Sequence, residues 1–474
     1  MALPFPDGPS PDGRLRLTVF GTGYLGTAHA ACMADAGFHV LGVDADPARV
    51  KELSAGEPGI YEAGLAVLLR RGLASGRLAF TTSYRRAAAF GDVHFICVGT
   101  PQRADGSAAA ELSQVEACLD TLAPLLDKPC LIVGKSTVPV GTAARLARRG
   151  LPGGAELAWN PEFLREGHAV ADTLRPDRIV AGVASARAEA VLRRVYWRQL
   201  IDGVPFVVTD LATAELVKLA ANSFLAAKIS FVNAMAEICE IVGADSAMLA
   251  QALGYDPRIG GSALRPGLGF GGGCLPKDTR AFAGQAAELG AAQPAALLRS
   301  VDAINTGRRD RMVQLAAELA GGSLAGTRVG VLGLAFKPGT DDIRDSPAMA
   351  VATAVSDLGA LVTAFDPAAM DRARAQQPRF RYARSVLEAA CDADVLLVLT
   401  EWPQFAAADP CQLAAVVARR NVADGRHALD PARWQAAGWR YRALGQGRPL
   451  HPQRPASQRS MQASSSSVST GLVT

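Results

Sequence analysis

The junction between residues 15 and 44 constrains this chain more than any other segment. A short apolar run, LRLTVF, leads into Gly21-Thr-Gly23-Tyr24-Leu25-Gly26; a helical stretch follows, and a second apolar run, FHVLGVD, ends on Asp44. Strand, turn, helix and strand in this order form the phosphate-binding turn of a βαβ unit. Gly21 permits the tight turn, Gly23 lets a pyrophosphate approach the backbone, and Gly26 lets the helix pack closely. The N–H groups at the helix start then meet the phosphate charge. A carboxylate ending the second strand accepts hydrogen bonds from adenosine ribose hydroxyls and repels a 2′-phosphate, so Asp44 favours NAD over NADP. Arg49 weakens that choice, because a guanidinium can meet a phosphate. Tyr24 and Leu25 belong to the same turn, and Thr100, after FICVG, lies at the carboxyl end of the sheet, where ligands bind.

Further strand-length runs (VHFICVGTP, CLIVGKST, ELAWNPE, RIVAGV, PFVVTD) alternate with helical spacers, the pattern of a mostly parallel sheet covered on both faces. From about 210 the pattern changes. LATAELVKLAANSFLAAKISFVNAMAEICEIVGA holds no Gly or Pro before Gly243, and its apolar residues recur at three and four, so it reads as one helix of about 50 Å. An element that long connects domains or forms a dimer. A Gly-rich stretch, RIGGSALRPGLGFGGGCLPKD, comes next, and a second α/β region starts at TRVGVLGLAF and runs through ALVTAFDP and DVLLVLTEW. Residues 1–14 read as a loose Pro- and Gly-rich leader. The Ser-, Gln- and Pro-rich segment from about Gly445 cannot bury enough apolar surface to order itself, so a disordered tail is expected at 445–474.

With 49% hydrophobic and 20% charged residues, the 474-residue chain has the balance of a globular protein with more than one core. The net charge of +4 is scattered, with no basic block of the kind that binds nucleic acid or a membrane surface. The eight cysteines show neither CxxC pairs nor a disulfide framework; Cys97 and Cys130 lie in apolar runs and read as buried thiols. The six histidines are isolated from one another, so no metal site is expected. The first residues lack the features of a signal peptide, and no apolar run approaches the roughly eighteen residues of a membrane span. The expected location is the cytoplasm.

Four stretches are polar where a plain α/β protein need not be: GKSTVPVGT (134–142), NPEFLREG (160–167), ELVKLAAN (215–222) and GFGGGCLPKD (269–278). Lys218 and Asn222 share one face of the long apolar helix, and a buried lysine needs a partner. Glu162 and Glu166 have the same spacing and would share a face if their segment were helical. Cys274 follows a Gly triplet that lets backbone approach a ligand, and nearby Lys218 and Lys277 would lower its pKa. Each feature alone has an ordinary structural explanation; their joint occurrence beside a dinucleotide turn is much harder to dismiss.

These stretches, with the VGTP loop, GLAFKPGTDDIRDSP and the late DGR at 424–426, resemble the UDP-glucose / GDP-mannose dehydrogenase family in order and spacing from about residue 15 to residue 435. The resemblance implies an α/β fold of two Rossmann-like, doubly wound domains joined by a long central helix. It gives an NAD-binding domain at 15–209, a helical dimerisation region carrying the cysteine loop at 210–322, and a nucleotide-sugar-binding domain at 323–444. It implies a four-electron oxidation of a sugar CH2OH to a carboxylate with two NAD in succession, in a homodimer or higher homo-oligomer. UDP-glucose leads as substrate; GDP-mannose and UDP-N-acetylhexosamines are alternatives, and a two-electron hydroxyacid-type dehydrogenase is the competing class.

Carried over residue by residue, the resemblance makes Cys274 the nucleophile and Lys218 a general base that steadies the oxyanion with Asn222. Asp278 supports the base and the water, and Glu162 does acid/base work in thioester hydrolysis with Thr137 nearby. Glu166, Thr137, Lys277 and Arg344 face the cofactor. Glu162, Phe163, Leu164, Arg165 and Glu166, with Lys218, Asn222 and the run Ala263, Leu264, Arg265, Pro266 and Gly267, line the sugar-nucleotide pocket. Gly271, Lys337 and Arg426 complete it, and Arg258 crosses from the partner subunit. The chain departs from the family pattern at Gly273, where Ser or Pro is common and Gly is expected only to loosen the turn. It also departs at Leu275, which leans toward the GDP-mannose branch, and at Arg49, which stands for a common Lys.

Overall fold

In the computed structural model, residues 14–103 and 109–447 are described; most of the expected leader, and the C-terminal segment from 448, lie outside them. Two sheets dominate. The first contains β1 (Arg16–Phe20), β2 (His39–Val43), β3 (Leu78–Thr81), β4 (Val93–Ile96), β5 (Leu131–Gly134), β6 (Glu156–Trp159), β7 (Ile179–Gly182) and β8 (Phe206–Thr209). Their spatial order is β3-β2-β1-β4-β5-β6-β7-β8. All neighbours are parallel except β6 and β7, which meet antiparallel at Trp159 and Gly182. The second sheet contains β9 (Arg328–Leu332), β10 (Leu361–Phe365), β11 (Arg381–Tyr382), β12 (Val395–Val398), β13 (Asn421–Asp424) and β14 (Arg440–Ala443), in the order β11-β10-β9-β12-β13-β14. In both sheets the order reverses beside the first strand, the place where doubly wound folds bind ligands.

Alternation along the strands sorts side chains to the two faces. Leu17 and Val19 of β1 join one apolar cluster and Phe20 joins the other. On the Phe20 side, Thr18 pairs across to His94 of β4, with Oγ1 and Nδ1 at 2.7 Å, so a buried polar pair is satisfied between strands. Cys97 and Cys130 are buried free thiols. The second sheet has its own cluster, including Leu396, Val398, Phe405 and Trp434.

The central helix runs from Leu211 to Val242, 32 residues. Asp210 caps its start by accepting from the Thr213 N–H, and Gly243, at φ 74°, ends it in a left-handed cap. Glu215 on its first turns is buried and accepts from the N–H groups of Gly141 (2.7 Å) and Ala143 (2.6 Å). That fixes the helix to the loop after β5. A cysteine helix (Leu275–Glu288) and a second long helix (Ala292–Ala320) pack on it and lead into the second sheet. Among the described residues no helix is long and apolar enough to cross a membrane.

The two α/β units close over the cysteine loop. The Gly272 N–H donates to Arg344 O at 3.0 Å. Asp345, itself at φ 44°, accepts from Arg280 of the cysteine helix (2.9 Å) and Arg309 of the following helix (2.7 Å). The chain end adds a second attachment and corrects the expected tail boundary at Gly445. The Gly445 N–H donates to Glu240 Oε1 of the central helix at 2.7 Å, and the Gly447 N–H to Ala244 O at 3.3 Å. A Cβ on Gly445 would collide with Ser246 Oγ at 2.3 Å and Ala236 Cβ at 2.7 Å, so backbone docks where no side chain fits. Low apolar content hid this docking, because it is made by main chain.

Candidate active site

At the dinucleotide turn, Gly21 has φ 83° and a Cβ there would strike Val98; a Cβ on Gly26 would lie 1.9 Å from Gly21 O. A Cβ on Gly23 would meet nothing within 4 Å, so this residue faces the open space a pyrophosphate would fill. The helix that starts at Tyr24 has no side-chain cap, which leaves its first N–H groups available to an anion. Asp44 Oδ2 accepts from both the N–H and the hydroxyl of Thr22, each at 2.8 Å. Each carboxylate oxygen of Asp44 retains lone pairs for ribose hydroxyls. Arg49 is tied under the turn, donating to Thr22 O (3.1 Å) and Thr27 Oγ1 (3.3 Å). The residues present therefore fit NAD. Tyr24 is committed elsewhere: its hydroxyl bonds to Glu62 and accepts from the Gly167 N–H (2.7 Å), and burial raises its pKa. Leu25 packs against the apolar cluster beneath the turn.

The second cluster assembles around Cys274, which stands at the N-terminus of the cysteine helix. One turn on, Asp278 is 2% exposed. It accepts from Asn222 Nδ2 of the central helix and from Lys277 Nζ, both at 2.7 Å. Lys218 and Asn222 are buried on one helix face, as their spacing implies. Lys218 Nζ lies 5.4 Å from the Phe163 ring centroid and close enough to Cys274 to lower its thiol pKa. A small cavity lined by Thr137, Leu219, Lys277 and Asp278 joins the STVPVGT loop to this group, and Thr100 Oγ1 holds that loop by donating to Thr137 O at 2.8 Å.

Although Cys274 is open to solvent, burial of the thiol by its surroundings raises its pKa; Lys218 and Lys277 pull the other way and do not win. The two lysines pull this pKa down as their spacing implies, but the cleft removes more hydration than the ammonium groups restore, so the net shift is upward. Gly273 is likewise more than a loose turn: a Cβ there would sit 2.5 Å from Arg344 Cζ. The absent side chain leaves room for a guanidinium beside Cys274.

The NPEFLREG segment is a loop that ends in a turn at Glu166 and Gly167, not a helix, so Glu162 and Glu166 do not share a helix face. Glu162 Oε1 accepts from the N–H groups of Phe163 (2.8 Å) and Leu164 (3.1 Å), and Oε2 pairs with Lys135 Nζ at 3.1 Å. Glu166 is 3.0 Å from Arg344 NH2, while its Oε2 is buried with no hydrogen-bond partner. Burial, then the nearby Asp342 carboxylate, push Glu166 up to about 7. Arg344 also grips Asp342 with two nitrogens. A side chain at this junction thus links the NAD-side segment, the cysteine loop and the second α/β unit.

The other expected pocket residues divide. Gly271 packs against Asp345 O and Pro347, Leu264 and Gly267 are buried, Arg265 is exposed, and Ala263 takes φ 58°. Asn233 Oδ1 holds the Gly267 N–H at 2.8 Å, and Pro266 beside it is buried. Lys337 is kept below the usual lysine range by burial, with Glu166 opposing. Arg426 donates to the carbonyls of Gly269 (2.7 Å), Leu399 (3.0 Å) and Phe336 (3.2 Å), which places it where the cysteine loop meets the second sheet. Arg165 pairs with Asp172, and Arg258 is exposed and pairs with its own Asp256 at 2.6 Å. The sequence reading assigned no role to Lys135, Asn160, Glu62, Thr22 or Asp342. Lys135 and Asn160 had a visible signal, a charged or amide residue directly ending an apolar strand.

Comparison with known proteins agrees with this geometry. Residues 15–200 match the UDP-glucose/GDP-mannose dehydrogenase family, NAD binding domain; 212–307 match its central domain and 330–431 its UDP binding domain. The chain is 41% identical to a UDP-glucose 6-dehydrogenase of Rhizobium meliloti, with 91% of this chain and 99% of that protein covered. It is 40% identical to one of Pseudomonas aeruginosa, with 92% and 99% covered. The structure of a UDP-glucose dehydrogenase from Pyrobaculum islandicum superposes with a TM-score of 0.84 at 39% identity, covering 92% of this chain and all (100%) of that one. A UDP-D-ManNAc dehydrogenase from Pyrococcus horikoshii superposes at 0.80 with 26% identity, covering 91% and 100%.

Proposed function

The chain belongs to the UDP-glucose/GDP-mannose dehydrogenase family, and from that premise we propose that it oxidises UDP-glucose to UDP-glucuronate with two NAD, through a thioester on Cys274. The observation that carries this reading is the meeting of Asn222 and Lys277 on Asp278, one helical turn from Cys274 and beside the buried Lys218. A two-electron hydroxyacid dehydrogenase needs no such cysteine. Support for UDP-glucose over N-acetylated sugars comes from the identities: about 40% to proteins that carry the UDP-glucose name against 26% to the UDP-D-ManNAc enzyme.

NAD, when bound, accepts one hydride in each of two rounds. In the first, the C6 alcohol loses a hydride and its hydroxyl proton, which Lys218 takes up. Cys274 Sγ then adds to the aldehyde carbon, and the resulting thiohemiacetal again carries a hydride on carbon. Asn222 Nδ2 and Lys218 stabilise the oxygen that bears the developing charge. Loss of the second hydride leaves a thioester. Water attacks it with Glu162 accepting its proton, the C–S bond breaks, and the thiol leaves with the carboxylate released.

Dimerisation through the central helix belongs to the same reading. Phe224, Phe231 and Ile238 repeat every seven residues and are 68%, 52% and 50% exposed. Such a stripe is unusual on a solvent face and suits a second copy of this helix. Arg258 would then reach the partner's site from its exposed loop, which Lys228 holds through the carbonyls of Ile259 and Gly260, each at 2.9 Å. The test of the proposal is a nucleotide-sugar panel followed at the NADH band. UDP-glucose should give two NADH per sugar; one NADH, or turnover confined to another sugar, would reject it.

A further inference from the structure

Two buried lysines serve this site and they differ in their partners. Lys218 makes no ion pair among the described residues. Lys135, 3% exposed, is surrounded by acceptors: Glu162 Oε2 at 3.1 Å, Asn160 Oδ1 at 2.9 Å and Tyr196 OH at 3.3 Å. Burial alone would lower its pKa, and the Glu162 charge beside it more than offsets that. The lysine follows the last residue of β5 and its backbone is held by Ile96 O, so its origin is the rigid carboxyl edge of the sheet. Asn160 is anchored in turn by donating to Val180 O at 2.7 Å. Glu162 lies on the loop beyond β6, where backbone N–H groups occupy only its Oε1.

We propose that Lys135 is a positioning residue for thioester hydrolysis: it holds Glu162 Oε2 in the orientation from which that carboxylate takes the proton of the attacking water. This rests on the reading of Glu162 given above. No bond to substrate is assigned to Lys135; it acts through Glu162. The two hydride transfers depend on Lys218, Asn222 and the dinucleotide turn, none of which touches Lys135. A purely structural lysine would slow every step together, whereas a positioning lysine slows the last one.

The experiment uses the full-length Lys135→Met enzyme with UDP-glucose and NAD. Turnover should fall on the order of tenfold to a hundredfold, a fraction of the effect of removing a whole acid–base group, while KM for NAD stays within about threefold of wild type. A burst of two NADH per site should precede the slow phase, and acid-quenched intact mass spectrometry should find a uronyl adduct on Cys274. In a Glu162→Gln background, Lys135→Met should cost less than about threefold more. Wild-type turnover, or slow turnover without burst or adduct in folded enzyme, overturns the proposal. Should Lys135→Met fail to fold, Glu162→Asp draws the carboxylate back from an intact Lys135 and should show the same burst and adduct; wild-type hydrolysis in that variant overturns the proposal equally. Wild-type enzyme yielding one NADH per sugar would reject the thioester reading itself, whatever the variants do.

Discussion

Asn222 of the central helix and Asp278 of the cysteine helix lie 56 residues apart in sequence and meet at 2.7 Å. The contact locks the helix that carries Lys218 to the helix that begins at Cys274. Because Asp278 is also paired with Lys277 at 2.7 Å, its carboxylate is oriented from two sides. Asn222→Ala removes both an oxyanion donor and this lock. Turnover should fall about 10²–10³-fold, the usual effect of losing one such donor. KM for NAD should change little, since the dinucleotide turn is elsewhere; steady-state kinetics at saturating sugar checks both.

Asp44 should set cofactor choice. Its carboxylate is braced by Thr22, and Arg49 is occupied by Thr22 O and Thr27 Oγ1. Asp44→Ala should raise KM for NAD roughly tenfold to a hundredfold, the loss expected for about 1.5–3 kcal/mol of charged hydrogen bonding. The gap to NADP should narrow. Equal use of NADP by the wild-type enzyme would show that Arg49 dominates.

Glu166 gives a pH prediction with a definite sign. Its folded value is raised from 4.5 to about 7, chiefly by burial. Above 4.5 the unfolded side chain releases its proton while the folded one keeps it, so the stability it contributes is fully present below 4.5 and is lost as pH rises through about 7. Glu166→Gln should flatten that part of the pH dependence. Urea midpoints of the ligand-free enzyme on either side of this window, for wild type and variant, measure it; parallel curves would contradict the assignment.

Two truncations test the chain end. Removing residues from 448 onward leaves the Gly445 contact to Glu240 and the Gly447 contact to Ala244 intact, and activity and melting temperature should be nearly unchanged. Removing residues from 445 onward deletes both contacts and strips a buried charge cluster of one donor. That should cost about 1–3 kcal/mol, or several degrees at about 2–4 °C per kcal/mol.

Much of this was legible in the sequence because it is periodic or punctuated. The central helix declared itself by an uninterrupted three-and-four pattern ending at Gly243, and the dinucleotide turn by its glycines between two apolar runs. Strands β3, β11, β13 and β14 were not read: β11 pairs over two residues, and β13 (NVAD) and β14 (RYRA) are four residues each with polar residues among them, too short for a clear period. The Lys218–Asn222 face was readable from helical spacing, but the same spacing carries no meaning at Glu162 and Glu166, whose segment is a loop. Pairings between distant segments, such as Lys135 with Glu162 or Glu166 with Arg344, leave no local period and appear only when the strand ends converge.

The central claim is covalent catalysis at Cys274. Cys274 stands at a helix start near Lys218 and Asp278, and the Arg344 guanidinium packs where a side chain on neighbouring Gly273 would sit. The most direct measurement is steady-state conversion of UDP-glucose to the acid by Cys274→Ala, with folding checked by circular dichroism. Acid formation should be almost completely lost, while slow interconversion of added aldehyde and alcohol survives, because the proposed first hydride transfer does not use the thiol. Wild-type turnover to the acid in that variant would contradict the claim and leave the Gly-rich loop as a binding element only.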